Sequence, residues 1–147
     1  MNREDVTQLI RSAKRQKKCS WADCAAVVGQ SKEWSTAALL GQMTLTEEEA
    51  KKIGEYLSLP SEAVAILQET PYKGSLPTSV PTDPLIYRFY ELISVYGTTF
   101  KELIHEEFGD GIMSAIDFSM DMKREYDPKG DRVSIVMSGK FLPYKRY

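Results

Sequence analysis

The chain has 147 residues and a net charge of −2, with 42% hydrophobic and 27% charged residues, the make-up of a folded globular protein. Residues 1–70 carry nine basic and ten acidic side chains, and residues 71–147 carry ten and eleven. Neither half is a polyelectrolyte, so composition points away from a nucleic-acid binder. No stretch approaches the ~20 apolar residues of a membrane helix, and the opening MNREDVTQLI lacks a signal-peptide apolar core. A cytoplasmic location is expected.

The first seventy residues read as all-helical. In REDVTQLIRSAKRQKK, Val6, Leu9, Ile10 and Ala13 recur at helical spacing. Ser20 can cap a second helix, WADCAAVV, that stops at Gly29, and Ser31 a third, KEWSTAALL, that stops at Gly41. Thr46 with Glu49 forms a capping box for EEEAKKIGEYL. Pro60-Ser61 opens a short fifth helix through Leu67. Residues 71–84 close a proline-rich stretch, TPYKGSLPTSVPTDP, which reads as a linker. Beyond it, LIYRFYELISVYG predicts a helix ended by Gly97, and FKELIHEEF another ended by Gly109. The texture then changes. SAIDFSMDMKREY and RVSIVMSG alternate apolar and polar side chains around a DPKGD turn, the pattern of a β-hairpin, and KFLPYKRY reads as an irregular tail. The expected fold is α+β, with a five-helix, helix-turn-helix-like bundle (1–70), a linker (71–84) and a small domain (85–147) of two helices and a hairpin. A two-stranded hairpin is marginal alone in water, so this second half is expected to interlock with a partner subunit.

Within LIYRFYELISVY the apolar side chains surround the helix, and a helix apolar all round is expected to be buried. Only Arg88, Glu91 and Ser94 interrupt it, at three-residue spacing along one line, where side chains meet. Burying a guanidinium and a carboxylate is expensive, so the pair marks a candidate site. In FGDGIMSAID, Gly109 and Gly111 free the backbone for a turn that can aim N–H groups at an anion, and Ser114 adds a hydroxyl. Arginine, hydroxyl and amides together describe a small anion pocket. His105 is the only histidine, and Cys19 and Cys24 are the only cysteines. That excludes a multi-histidine metal site and a zinc framework, and the two thiols read as unremarkable reduced cysteines. No phosphate loop or dinucleotide fingerprint is present. No metal or organic cofactor is expected.

The stretch PTDPLIYRFYELISVYGTTFKELIHEEFGDGIMSAIDF, residues 81–118, resembles the signature region of the cyanases (cyanate hydratases, or cyanate lyases). GKFLPYK and TAALLGQ match that family too, and the resemblance covers essentially the whole chain. It implies a lyase that decomposes cyanate with bicarbonate as co-substrate, giving carbamate and carbon dioxide. It implies Arg88 and Glu91 of YRFYE and Ser114 of GIMSAI as catalytic residues. It also implies a homodecamer built from dimers, with active sites at subunit interfaces. Where some relatives carry a linker cysteine this chain has Ser75, so no thiol role is assigned. The competing reading is a helix-turn-helix DNA-binding regulator, from SWADCAAVVGQSKEWSTAALLG and the basic run RSAKRQKK. It is disfavoured, because KEWSTAALL lacks the side chains that read base edges and residues 1–70 are net negative.

Overall fold

The computed structural model describes residues 1–147, which divide into two compact units, Met1–Ser75 and Leu76–Tyr147.

The first unit holds five short helices: α1 (Arg3–Lys17), α2 (Trp21–Val28), α3 (Lys32–Leu39), α4 (Glu47–Leu57) and α5 (Ser61–Ile66). Short helices need their ends satisfied, and the sequence supplies the caps. Capping boxes close the N-termini of α1 (Asn2 with Asp5), α2 (Ser20 with Asp23) and α4 (Thr46 with Glu49). Ser31 accepts the N–H of Trp34 at the start of α3. Gly29, at φ 87°, ends α2 in the left-handed region, which glycine enters without strain.

The core joins all five helices, with Val6 and Ile10 on α1, Cys24 on α2, Leu39 on α3 and Ile53 on α4 fully or almost fully buried. The predicted stripe on α1 is partly right. Leu9 is exposed and Thr7 is buried instead. One polar device was not foreseen. The guanidinium of Arg3 donates to the carbonyls of Ile66 (2.8 Å), Ala38 (3.0 Å) and Met43 (2.8 Å). It thereby satisfies carbonyls near the C-terminal ends of α3 and α5. Burial pulls its pKa below the ordinary value, since desolvation disfavours the charged form.

In the second unit, Asp83 accepts the N–H groups of Leu85 and Ile86, Pro84 occupies the first turn, and one helix, α6, runs Pro84–Phe108. The expectation of two helices is corrected here. Gly97 sits inside α6 with no left-handed φ. An interior glycine disfavours a helix by only about 1 kcal/mol, which the rest of a 25-residue helix absorbs. The true stop is Gly109, at φ 89°.

Two antiparallel strands follow, β1 (Gly111–Glu125) and β2 (Arg132–Pro143). Met120 pairs with Met137 and Met122 with Ile135, so the two predicted apolar faces coincide. The tail is less irregular than expected. Strand β2 continues through Lys140–Pro143, and the N–H of Tyr144 donates to Asp110 O. The side chains of the hydrophobic core all lie between Val6 and Leu67. Helix α6 buries none of its residues.

Candidate active site

Helix α6 presents YRFYE. The guanidinium Nη1 of Arg88 lies 3.3 Å from Oε2 of Glu91, the i,i+3 contact that the spacing predicts. Tyr87 packs beside the pair, its ring centroid 5.8 Å from the Arg88 Cζ and 5.9 Å from the Tyr90 ring. One turn on, the Ser94 hydroxyl donates to Tyr90 O at 3.0 Å.

The pair is not buried within the chain. The Arg88 and Glu91 side chains are 67% and 52% exposed in the single chain, so the apolar surround on their own helix does not enclose them. Leu85, Ile93, Val95 and Tyr96 are each more than half exposed on the same helix.

Ser114 sits in an irregularity of the hairpin. Between the pairs Met113–Phe141 and Phe118–Gly139, β1 runs through Ser114–Asp117 while β2 supplies only Lys140. This bulge is wider than the usual single extra residue. The Ser114 side chain holds it. Its Oγ accepts the N–H of Ile116 (3.0 Å) and of Asp117 (2.9 Å). Ser114 is 5% exposed. The amides of Ile116 and Asp117 are thereby satisfied within the chain. A serine oxygen competes for nearby backbone donors, and here it takes them. Two accepted bonds leave the hydroxyl proton as the group that Ser114 can offer, and they polarise it.

The hairpin needs Gly139 opposite the bulge. A Cβ there would meet Ser114 O at 2.4 Å and Met113 Cγ at 2.6 Å. Sequence reasoning passed over this residue, although a glycine inside an alternating strand pattern is a recognised sign of a bulge. His105, also unassigned, has Nε2 3.3 Å from Gly111 O, and Phe108 stacks on Phe141 with centroids 5.1 Å apart. The last turns of α6 are thus docked on the base of the hairpin.

One chain brings Arg88 and Glu91 together but not Ser114 with them. Met113 lines a cavity of about 270 Å³ with Ile104 and Phe108. Arg88 stands sixteen residues before Ile104 on a continuous helix, a rise of ~24 Å. The chain therefore carries a cation with its carboxylate near the start of α6, and a buried, polarised hydroxyl beyond its end. No cluster of three or more metal-capable side chains forms.

The chain matches two family models, "Cyanate hydratase, N-terminal" over residues 3–71 and "Cyanate lyase C-terminal domain" over residues 78–146. It is 78% identical to the cyanate hydratase of Dechloromonas aromatica (strain RCB) and 74% identical to that of Ralstonia pickettii (strain 12J), in each case over the full length of both chains. Among solved structures it resembles the cyanase from T. urticae, with a TM-score of 0.82 and 38% identity over 94% of this chain and 96% of that one.

Proposed function

The chain belongs to the cyanate lyase family, and on that footing we propose that it catalyses the bicarbonate-dependent decomposition of cyanate. Cyanate, bicarbonate and one proton give carbamate and carbon dioxide; carbamate takes up a second proton and falls to ammonia and a second carbon dioxide. The observation that carries the reading is the Arg88–Glu91 contact on an exposed apolar helix, inside the segment matched by the C-terminal family model.

Both substrates are anions, and their repulsion grows as water is removed. Arg88 supplies a permanent positive charge in a planar fork suited to carboxylate-like groups. Ser114, its oxygen already accepting two amides, donates its proton to a substrate oxygen. With the reactants held in line, a bicarbonate oxygen attacks the cyanate carbon without the entropic penalty of a free encounter. The adduct then sheds carbon dioxide. Glu91 orients the guanidinium. No metal or organic cofactor takes part.

The separation of Arg88 from Ser114 along one chain supports a site assembled between chains. Residues 85–147 provide catalysis and dimerisation, and the dimers build a decamer. The exposed face of α6 is then covered by a partner subunit, which dries the Arg88–Glu91 pair and strengthens its field. The helical unit serves packing of the oligomer. Deletion of residues 1–70 with decamer and activity both retained would remove that last assignment.

The test is ammonia release from cyanate by the purified protein, with bicarbonate present and then stripped out. Release that needs bicarbonate and is lost in Arg88→Ala supports the reading. No release from a well-folded oligomer overturns it.

A further inference from the structure

Cys19 and Cys24 look unrelated in sequence, five residues apart. The fold makes them neighbours. Ser20 is the N-cap of α2, so Cys19 is the residue before the cap and Cys24 the fourth of the helix. These are the two positions that a capping box holds against each other, usually with an apolar contact. Here the contact is thiol on thiol, with the sulfurs 3.9 Å apart. The Ser20–Asp23 box fixes the intervening backbone, the Asp23 N–H donating to Ser20 Oγ at 3.0 Å and the Ser20 N–H to Asp23 Oδ2 at 2.7 Å. Both thiols are free.

The two sulfurs differ in access. Cys24 is fully buried, whereas Cys19 is partly exposed. The Cys19 thiol also lies 3.9 Å from Lys14 O. Burial, followed by the neighbouring Cys19, pushes the Cys24 thiol up to about 12. Exposure therefore makes Cys19 the thiol that meets a solvent oxidant.

We propose that Cys19 and Cys24 form a redox modification site, in which a peroxide oxidises the pair to an intramolecular disulfide across the N-terminus of α2. The Cys19 thiolate attacks a peroxide oxygen and breaks the O–O bond. This leaves a sulfenic acid on Cys19 and releases hydroxide, which takes up the proton from Cys19. The Cys24 sulfur then attacks the Cys19 sulfur. The S–O bond breaks, and the departing hydroxide leaves as water with the Cys24 proton. Two thiols and one hydrogen peroxide become one disulfide and two waters. Closing the S–S bond needs the sulfurs to approach from 3.9 Å to ~2.05 Å. A dithiol reductant reverses the modification. The site belongs to the helical unit and shares no residue with the proposed catalytic groups.

The experiment is stoichiometric hydrogen peroxide on the intact, full-length protein, followed by unfolding, thiol alkylation and mass spectrometry. The expected result is a chain lighter by two hydrogens, with alkylated cysteines falling from two to none and returning to two after phosphine reduction. Dimedone should trap Cys19 in Cys24→Ser and little in the unmodified chain, because Cys24 resolves the sulfenic acid. Four results overturn the proposal: both cysteines still alkylated after peroxide, sulfinic acid on Cys19 with Cys24 still alkylated, a disulfide between two chains, or equal dimedone capture with and without Cys24. The first measurement needs no variant, so misfolding of a mutant cannot mask the answer.

Discussion

Gly139 and Ser114 meet backbone to backbone across the hairpin, so closely that a Cβ on the glycine would stand 2.4 Å from the serine carbonyl oxygen. A backbone atom cannot swing aside as a flexible side chain does. Gly139→Ala should therefore force the bulge open, at ~1–3 kcal/mol, the range for overpacking a tight site. Thermal unfolding should show the loss. Cyanate turnover should fall at least about tenfold as the Ser114 hydroxyl moves, since small misplacements of a reacting group are costly. Unchanged turnover would mean that the geometry of the bulge does not matter to the chemistry.

Ser114→Ala removes the acceptor of two backbone amides as well as a donor for substrate. Turnover should drop about 10²–10³-fold, the scale for deleting one positioned donor. The melting temperature should fall too, because the amides of Ile116 and Asp117 lose their partner. A turnover defect with no stability defect would separate the two roles.

Arg88→Lys keeps the charge and loses the fork. If the fork matters, activity should fall nearly as far as in Arg88→Ala, by roughly 10²-fold or more. Glu91→Gln keeps the shape and loses the charge. With orientation as the role of Glu91, kcat should stay within about tenfold of the parent, short of the ~10²–10⁴-fold owed to a general acid–base group. A deeper fall in kcat at unchanged KM would assign proton transfer to Glu91.

Acid should loosen the helical unit through its capping boxes. Bonds from Thr46, chiefly from its backbone N–H, hold the Glu49 carboxyl below its usual value of 4.5. Bonds from Ser20 do the same for Asp23, usually 3.8. A folded-state pKa below the unfolded one gives stability that is fully present above the unfolded value. That stability is lost as pH falls through the folded value. Glu49→Gln can still close the box but carries no charge. It should be less stable than the parent at neutral pH by ~0.5 kcal/mol, the scale of a charge at a helix N-terminus. Denaturant melts across the acid range should show that gap closing below pH 4.5. A constant gap would mean that charge contributes nothing.

Uncovered, α6 and the hairpin leave Ile116 98% and Leu85 69% exposed, with many apolar neighbours. Apolar surface on this scale marks an interaction site. Light scattering on a sizing column should find a multimer at low micromolar concentration. A stable monomer there would overturn the assembled site.

The bundle was legible because its signals are local. The Ser20 cap, the Thr46–Glu49 box, the stop at Gly29 and the spacing of Val6 and Ile10 each act within a turn or two of helix. The hairpin was legible for the same reason, since alternation around DPKGD involves only neighbours. Where sequence reading failed, the deciding interaction was distant or competitive. Gly97 reads as a stop, yet the helix on both sides of it outweighs one glycine. Arg3 bonds Ile66 from 63 residues away, and no periodicity encodes that.

The sequence by itself determined the element types, the i,i+3 meeting of Arg88 with Glu91, and a helix with apolar residues on every side. Cys19 and Cys24 read as two ordinary thiols, and only the packed backbone set their sulfurs 3.9 Å apart. The tertiary structure decided where each of these faces. Periodicity tells which side chains share a face, and it is silent on what covers that face. Cover is a property of surfaces brought together from afar, and in this chain the helical unit finds its cover within itself while α6 does not. The fold alone also set the Ser114 bulge, because its shape comes from a hydroxyl winning two amides from the strand ladder and from a glycine 25 residues later leaving room for it.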